Sequence, residues 1–250
     1  MNPLRETFIL LGRSMRHILR SPDTIITVTI MPIAFMLLFV YVFGGAIHTG
    51  TSNYVNYLLP GILLISVASG VSYTAFRLFI DMQKGIIARF NSMPINRSAV
   101  LWSHVLTSIV SNSISLVVII GVALIMGFRS SASILAWIAV IGMLLLFMLA
   151  LTWLAIIPGL KAKSIDGASA FSYPLILLPF ISSAFVPTNT MPTAVRVFAE
   201  NQPVTTIVNS IRSLLEAGSA GNDIWIALAW CIGITIVAYF FAIRIYRRAA

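Results

Sequence analysis

One stretch of this sequence carries polar side chains at regular spacing inside an otherwise apolar run. His104, Ser108, Ser111, Asn112 and Ser115 all fall on one side of a predicted helix. Hydroxyl and amide groups in such a position either hydrogen-bond to neighbouring helices, which lets the helices pack closely, or line a path for a ligand. Both interpretations remain open from the sequence.

No pattern of residues predicts catalysis or metal binding. The three histidines, His17, His48 and His104, are far apart in the sequence. The phosphate-binding loop Gly-x-x-x-x-Gly-Lys-Ser/Thr does not occur. We therefore predict no catalytic residue, no metal site, and no cofactor or ATP bound by this chain.

The elements that position these residues are predicted to be membrane-spanning helices. The chain has 250 residues, of which 59% are hydrophobic and only 9% are charged, whereas a soluble domain is about a quarter charged. We predict an all-α integral membrane protein with one transmembrane domain over residues 1–250. The net charge of +9 does not predict binding to nucleic acid, because the basic residues lie between apolar runs.

Six apolar runs come close to the roughly 20 residues that a helix needs to cross the hydrocarbon. They lie at 24–46, 54–79, 100–127, 133–158, 169–186 and 224–246. The fifth is short and contains Pro174 and Pro179. Membrane helices tolerate proline where neighbours satisfy the freed carbonyls, so six spans are expected.

The distribution of basic residues predicts the direction of the spans. With the N-terminus in the cytoplasm, 13 of the 16 basic residues fall on inner segments, and only Arg129, Arg196 and Arg212 fall outside. Lys and Arg are enriched on the cytoplasmic side of membrane proteins. We therefore expect a multi-pass protein with both termini in the cytoplasm.

The acidic residues argue against transport driven by protons or sodium. Asp81 and Asp166 are expected in inner loops, and Glu200, Glu216 and Asp223 in an external one. Ion-coupled carriers usually hold an ionisable group inside the membrane, and we predict none there.

The N-terminal stretch 1–22 is predicted to be a helix lying in the inner membrane interface. Leu4, Phe8, Leu11, Met15 and Ile18 form one apolar stripe. The opposite side carries four arginines, which would face anionic lipid head groups; these are Arg5, Arg13, Arg16 and Arg20.

The inner segment 81–97 exposes more apolar residues than a soluble loop needs. It can form a short helix with Ile86, Ile87, Phe90 and Met93, which Pro94 should end. These side chains either pack on the inner ends of the spans or dock into a partner protein, and the sequence favours neither.

The external segment 187–223 is predicted to contain two amphipathic helices separated by a break at Gln202-Pro203. The first begins near Met191-Pro192. Its apolar side would consist of Val195, Phe198 and Ala199. The second would bury a longer apolar face, formed by Val204, Ile207, Val208, Ile211, Leu214 and Leu215. An ordinary external loop would not be this apolar, so we expect a re-entrant or interface-lying cap.

The order of these pieces resembles a known family. The inner loop carries Gly85, Arg89 and Pro94-Ile-x-Arg97, and the external segment carries Pro187, Met191-Pro192, Asn201-Gln-Pro203 and Ile211-Arg212. Over nearly its whole length the chain is similar to the permease subunit of a bacterial type-2 ABC exporter, close to the daunorubicin-resistance branch.

The resemblance implies a mechanism. Such permeases lie in the bacterial inner membrane and pair two six-span halves, identical or paralogous. Two cytoplasmic ATPase subunits, which bind ATP and Mg, associate with them. The inner loop is the coupling helix that receives the motion of the ATPases, which here implies a coupling role for Gly85, Ile86, Arg89, Phe90, Met93 and Pro94. Many relatives have an acidic residue just before the coupling glycine, where this chain has Gln83-Lys84.

Several cargoes fit the resemblance. We expect a drug-like or lipid-like amphipathic substrate that leaves the cytoplasm or the inner leaflet. A lipid-linked polysaccharide is the alternative cargo. A membrane enzyme or a scaffold outside the ABC class is a further reading, but an enzyme should place converging polar groups at one depth, and the sequence predicts no such set.

Overall fold

The computed structural model describes residues 12, 23–45, 53–86, 97–216, 218 and 221–249. These residues form α-helices joined by short turns, with no strand among them. In chain order the α-helices are α1 (Asp23–Leu37), α2 (Tyr54–Gln83), α3 (Arg97–Ile125), α4 (Ile134–Lys161), α5 (Ile165–Ser169), α6 (Ser172–Leu177), α7 (Thr193–Asn201), α8 (Pro203–Glu216) and α9 (Asp223–Ala249).

Four of the described helices, α2, α3, α4 and α9, are long and apolar enough to cross a membrane. This confirms four of the predicted spans, with ends that differ from the predicted ones by a few residues. Helix α1 continues as a π-helix over Leu38–Phe43, and together they correspond to the first predicted span. The predicted N-terminal helix, with Arg5, Phe8, Leu11, Arg13 and Arg16, lies outside the described residues.

The fifth predicted span is not one continuous helix. Its residues form α5, α6 and a 3₁₀-helix over Leu178–Ile181. The two prolines explain the break, because Pro174 is confined to the first turn of α6 and Pro179 cannot donate a hydrogen bond to the preceding turn. The carbonyls of Leu178 and Ile181 instead accept hydrogen bonds from Gln202 Nε2.

Helix α2 forms the centre of the bundle. It packs against α1, α3, α4, α5, α6 and α8, and its residues from Leu58 to Ala68 are all buried. Helices α4 and α9 form a second close pair, in which the rings of Trp153 and Tyr239 lie 4.7 Å apart, centroid to centroid. The other helices therefore surround a central helix that no lipid could reach along most of its length.

The outer surface of the bundle is apolar. Ile125 is 86% exposed, Ile134 is 83% exposed and Trp225 is 72% exposed. Large exposed hydrophobic residues also line α1, α3, α6 and α9. A soluble protein does not expose apolar area on this scale, so this surface fits a hydrocarbon environment.

The two ends of the bundle differ. We call the end that carries residues 182–216 the cap end, because α8 covers it. Hydrogen bonds join this end to the start of α2 and to the turn between α3 and α4. We call the opposite end, where α2 ends and α3 begins, the loop end.

Candidate functional site

A polar seam joins α2, α3 and α4 inside the bundle. Thr74 Oγ1 donates to Ser108 Oγ at 2.7 Å, and Ser108 Oγ lies 3.3 Å from Thr152 Oγ1. Asn112 Nδ2 donates to the Ser108 carbonyl at 3.0 Å and also contacts Ser108 Oγ at 3.2 Å. All four side chains are buried. Ser108, from the predicted polar face, therefore meets hydroxyl partners on two other helices, whereas Asn112 bonds to Ser108 on its own helix.

The seam brings α2 and α3 into very close contact. A Cβ atom placed on Gly70 would overlap Asn112 Oδ1 and would lie 2.6 Å from Asn112 Cγ. Only a glycine allows this approach. Gly70 is therefore a packing residue with a specific partner, the amide of Asn112.

Two buried oxygens of the seam region have no hydrogen-bond partner among the described residues. These are Asn112 Oδ1 and Ser66 Oγ, which lies one helical turn from Gly70 on α2. An unpaired buried polar atom costs about 1–3 kcal/mol.

The seam borders a small cavity that extends toward the loop end. Its volume is about 20 Å³, and Tyr73, Arg77, His104, Ser111 and Asn112 are among the lining residues. This is room for about one water molecule and not for an organic ligand. Ser115, the last residue of the predicted polar face, donates to the Ser111 carbonyl of its own helix.

An acidic residue pairs with a histidine at the loop end of the seam. Asp81 Oδ2 lies 3.4 Å from His104 Nε2. The prediction that Asp81 belongs to the loop was wrong, because α2 continues to Gln83 and holds Asp81 in its last turn. The contact ties the end of α2 to α3 at the base of segment 84–96.

The start of the predicted coupling segment has an unusual backbone. Helix α2 ends at Gln83, and Gly85 follows with φ +65°. That left-handed conformation favours glycine and turns the chain away from the helix axis. Ile86 is half-buried. Arg89, Phe90, Met93 and Pro94, predicted for the same role, lie outside the described residues.

Helix α8 closes the cap end and buries its apolar face. Ile207 and Ile211 are 0% exposed. Val204, Val208, Leu214 and Leu215 are buried with them, so this face was predicted correctly. Its last carbonyls are satisfied from the turn between α3 and α4, since Ser130 Oγ donates to the Leu215 carbonyl at 2.8 Å. Pro203 supplies the first residue of α8.

Helix α7 does not bury the face predicted for it. Of that face only Ala199 is buried, while Val195 is 41% exposed and Phe198 is 51% exposed. Pro192 directly precedes the helix and is exposed. The prediction failed because α7 has few residues and packs mainly on its neighbours along the chain, so no further helix among the described residues covers its apolar side chains.

An arginine that the sequence analysis counted as an external charge and as part of the family resemblance is central to the cap end. Arg212 Nη2 donates to the Tyr57 carbonyl at 3.0 Å and to the Ser183 carbonyl at 2.8 Å, and Nη1 contacts Asn209 Oδ1 at 3.3 Å. The guanidinium carbon lies 3.7 Å from the centre of the Tyr57 ring. No carboxylate among the described residues forms an ion pair with it.

The position of Arg212 could have been noticed in the sequence. It lies one turn from Val208 and Leu215, both on the buried face of α8, so the helical spacing alone puts it at the edge of that face. Burial lowers the pKa of Arg212, although an arginine remains charged in proteins. Its charge is therefore held by carbonyl oxygens and an aromatic ring.

A second charged pair at the cap end is exposed. Arg196 Nε donates to Glu200 Oε1 at 2.8 Å within α7. This hydrogen bond lowers the pKa of the Glu200 carboxyl below its usual value. Exposed pairs of this kind contribute little to stability, so the pair is a local feature of α7.

Comparison with known proteins identifies relatives over nearly the whole chain. The family model described as ABC-2 type transporter matches residues 5–215. The daunorubicin resistance ABC transporter permease protein DrrB1 of Streptomyces coeruleorubidus is 29% identical over 244 residues, which cover 95% of this chain and 84% of the relative. The probable doxorubicin resistance ABC transporter permease protein DrrC of Mycobacterium tuberculosis is 24% identical, with coverage of 98% and 89%. The putative transport permease ycf38 of Cyanophora paradoxa is 25% identical over 86% of this chain and 76% of its own length.

Proposed function

This chain belongs to the ABC-2 type transporter family, and on that premise we propose that it is the membrane subunit of an exporter for drug-like or lipid-like amphipathic substrates. It is a multi-pass membrane permease. The single observation that carries the cargo class is the similarity, across nearly the whole chain, to two permeases named for resistance to daunorubicin and doxorubicin. A separate ATPase subunit would supply ATP hydrolysis, with Mg and ATP bound there.

We propose a six-span arrangement in the bacterial inner membrane, within one domain over residues 1–250. Helix α1 with its π-helical end and the broken α5–α6 segment would be the two spans beyond the four long helices. The loop end and both termini would face the cytoplasm, which the split of basic residues supports. The cap end would then face outward, and α7 and α8 would form a partly re-entrant external cap.

The coupling to ATP hydrolysis is assigned to segment 84–96 at the loop end. Motion of the ATPase would enter through Arg89, Phe90, Met93 and Pro94 and would reach the bundle at Gly85. The left-handed turn at Gly85 supports this assignment, because it directs the chain away from α2. An interfacial helix over 1–22 would lie beside this site on the lipid head groups.

The contact between Asp81 and His104 would carry this motion into the seam. It joins α2 to α3 directly at the base of the coupling segment. A shift of the segment would therefore move both helices rather than one. Ser108 lies one turn from His104 on α3, so the hydrogen bonds of Ser108 to Thr74 and Thr152 would be the first to change.

The polar seam is proposed as part of the substrate path. Ser108, Ser111, Asn112 and Ser115 would line it when the helices separate. The unpaired Asn112 Oδ1 supports a role beyond helix packing. In the arrangement described here the path is closed, because the adjoining cavity has a volume of only about 20 Å³. A second permease half, identical or paralogous, would complete the path.

The cap would act as the outer gate. Helix α8 is held by Arg212 on the start of α2 and by Ser130 and Ser131 on the turn between α3 and α4. A substrate that leaves between two such halves must pass this layer. The hydrogen bonds that Arg212, Ser130 and Ser131 donate to backbone carbonyls can break and reform as α2 moves. Such contacts suit a gate better than a permanent ion pair would.

The test is ATP-dependent transport in inside-out membrane vesicles. The vesicles would contain this chain together with its ATPase subunit, and the uptake of daunorubicin would be followed by fluorescence quenching. Uptake should require both ATP and the intact phosphate-loop lysine of the ATPase. Vesicles with an ATPase altered at that lysine are the control. Equal uptake in both preparations would contradict the proposal, as would ATP hydrolysis by the pure chain alone.

A further inference from the structure

A group of exposed basic residues lies at the loop end, where α4 and α9 end. The group consists of Lys161 and Lys163 at the end of α4 and of Arg244 and Arg247 near the end of α9. Leu160 and Tyr246 belong to the same buried cluster, which brings the two helix ends together. We call the four basic residues the basic patch.

The basic patch has no counter-charge in the described part of the chain. None of its residues belongs to either of the ion pairs found among the described residues, although Asp166 follows Lys163 closely in the sequence. The C-terminal dipole of α9 favours a cation only in the last turn, which accounts for Arg247 but not for Arg244. These two arginines are one turn apart, where like charges repel. The patch therefore favours an anionic partner.

The position of the patch along α9 matches the level of the lipid head groups. Trp225 lies near the start of α9 and is exposed, and tryptophan is enriched at membrane interfaces. Arg244 lies 19 residues after Trp225, which is about 29 Å along a helix. The hydrocarbon core is roughly 30 Å thick. With Trp225 at one surface of the membrane, Arg244 therefore lies at the other surface.

The same side of α9 is apolar between the patch and the middle of the membrane. Val237, Phe240 and Phe241 are exposed there. The helical period puts them on the side of α9 that also carries Arg244 and Arg247. An apolar surface for a hydrocarbon chain thus leads directly to cationic groups for a phosphate.

We propose that the basic patch binds an anionic phospholipid, with the phosphate at Arg244 and Arg247 and one acyl chain along Phe240 and Phe241. Arginine presents a planar set of donors that fits phosphate oxygens. The lysines of α4 add charge from the neighbouring helix, and basic groups between membrane helices bind anionic head groups in this way. A zwitterionic lipid would bring a cation of its own to four cations. The proposal needs a membrane around the chain but does not rest on the transport function.

Other anionic partners match only part of this surface. Phe240 and Phe241 lie within a helix long and apolar enough to cross the membrane, so a protein in the aqueous phase would contact the basic groups and leave these rings to the lipid. Free phosphate would likewise contact only the basic groups. A phospholipid is the partner that contacts both parts at once.

The experiment titrates the full chain in a neutral detergent with phosphatidylglycerol and, in parallel, with phosphatidylcholine. Native mass spectrometry counts the bound lipids and gives the apparent Kd of each. The test variant is Arg244→Gln/Arg247→Gln, and Arg247→Gln alone replaces it if the double variant fails to fold. The matched control, Arg129→Gln/Arg196→Gln, removes the same charge at the cap end. Arg244→Lys/Arg247→Lys keeps the charge of the patch.

We expect the wild type to bind phosphatidylglycerol more tightly than phosphatidylcholine. The double glutamine variant should raise the Kd for phosphatidylglycerol about 30-fold, because each basic residue near the surface contributes about fivefold. The control should stay within about twofold of the wild type, because its charges lie more than a Debye length from the patch. The lysine variant should lie closer to the wild type than to the glutamine variant.

Equal Kd values for the two lipids in the wild type would overturn the proposal, as would equal losses in the glutamine variant and the control. An equal concentration of inorganic phosphate should leave the lipid bound, since phosphate has no chain to place on Phe240 and Phe241. Displacement by phosphate would overturn the assignment to a lipid. Weaker association with the ATPase subunit in the glutamine variant, with unchanged binding of phosphatidylglycerol, would overturn it in favour of a protein partner.

Discussion

Replacing Arg212 with methionine tests whether the cap is held by a buried cation. Methionine keeps much of the length of the side chain and its apolar packing but removes every donor. The carbonyls of Tyr57 and Ser183 and the amide oxygen of Asn209 would lose a charged partner, and the Tyr57 ring would lose the guanidinium 3.7 Å away.

The expected loss of stability follows from these contacts. A hydrogen bond to a charged group contributes about 1.5–3 kcal/mol, and a desolvated cation–π contact contributes up to about 2 kcal/mol. The contributions are not additive and part of the site is open, so we expect Arg212→Met to cost about 3–5 kcal/mol, less than the sum of these contributions. The stability of Arg212→Lys should lie between those of the wild type and Arg212→Met. An ammonium keeps the charge, but it lacks the planar guanidinium that donates to several carbonyls at once.

The assay is thermal unfolding of the purified chain in detergent, with Arg129→Met as the matched control. Arg129 is exposed at the same end, and its side-chain hydrogen bonds to other described residues go to the carbonyls of Leu124 and Phe128. A cost of 3–5 kcal/mol corresponds to a fall in Tm of about 10 °C for a protein of this size, whereas an exposed residue should change stability by less than about 0.5 kcal/mol. If the Tm of Arg212→Met stays within about 2 °C of the control, the contacts of Arg212 do not hold the cap, because that shift is worth less than about 1 kcal/mol.

Three further predictions concern the seam, the exposed cap helix and the coupling segment. Gly70→Ala should lower stability by about 1–3 kcal/mol through overpacking. The control Gly121→Ala, where an added Cβ meets nothing within 4 Å, should be neutral or stabilising. Equal melting temperatures for the two variants would contradict the close approach of Gly70 to Asn112. The pair of Glu200 with Arg196 should contribute its full stabilisation only above the usual carboxyl pKa of 4.5, and this stabilisation should disappear as the pH falls through the lowered pKa of the folded state. The Tm difference between the wild type and Glu200→Gln should therefore vanish in acid. A Tm difference that grows in acid would contradict the lowered pKa of Glu200. Phe90→Ala should weaken association with the ATPase subunit by about 2 kcal/mol if Phe90 is the anchor of a small interface, with unchanged Tm of the isolated chain; a lower Tm with intact association would show that Phe90 packs on the permease itself.

The sequence determined the membrane class, the long spans and the buried face of α8. These follow from properties that a linear pattern records, namely long apolar runs and a helical stripe such as Ile207 and Ile211. It also indicated the weak point of the fifth span through Pro174 and Pro179, because proline restricts the backbone wherever it occurs. The family assignment followed from the same order of elements.

Only the tertiary structure decided which polar residues meet. Asp81 and His104 are 23 positions apart, and Tyr57 and Arg212 are 155 apart, so neither contact appears in any local pattern. The sequence left Ser108 and Asn112 between packing and transport, and the structure paired Ser108 with Thr74 and Thr152 on two other helices and Asn112 with Ser108. Amphipathic spacing reports which face of a helix is apolar, but it does not report whether a neighbour covers that face, which is why α7 was predicted wrongly and α8 correctly.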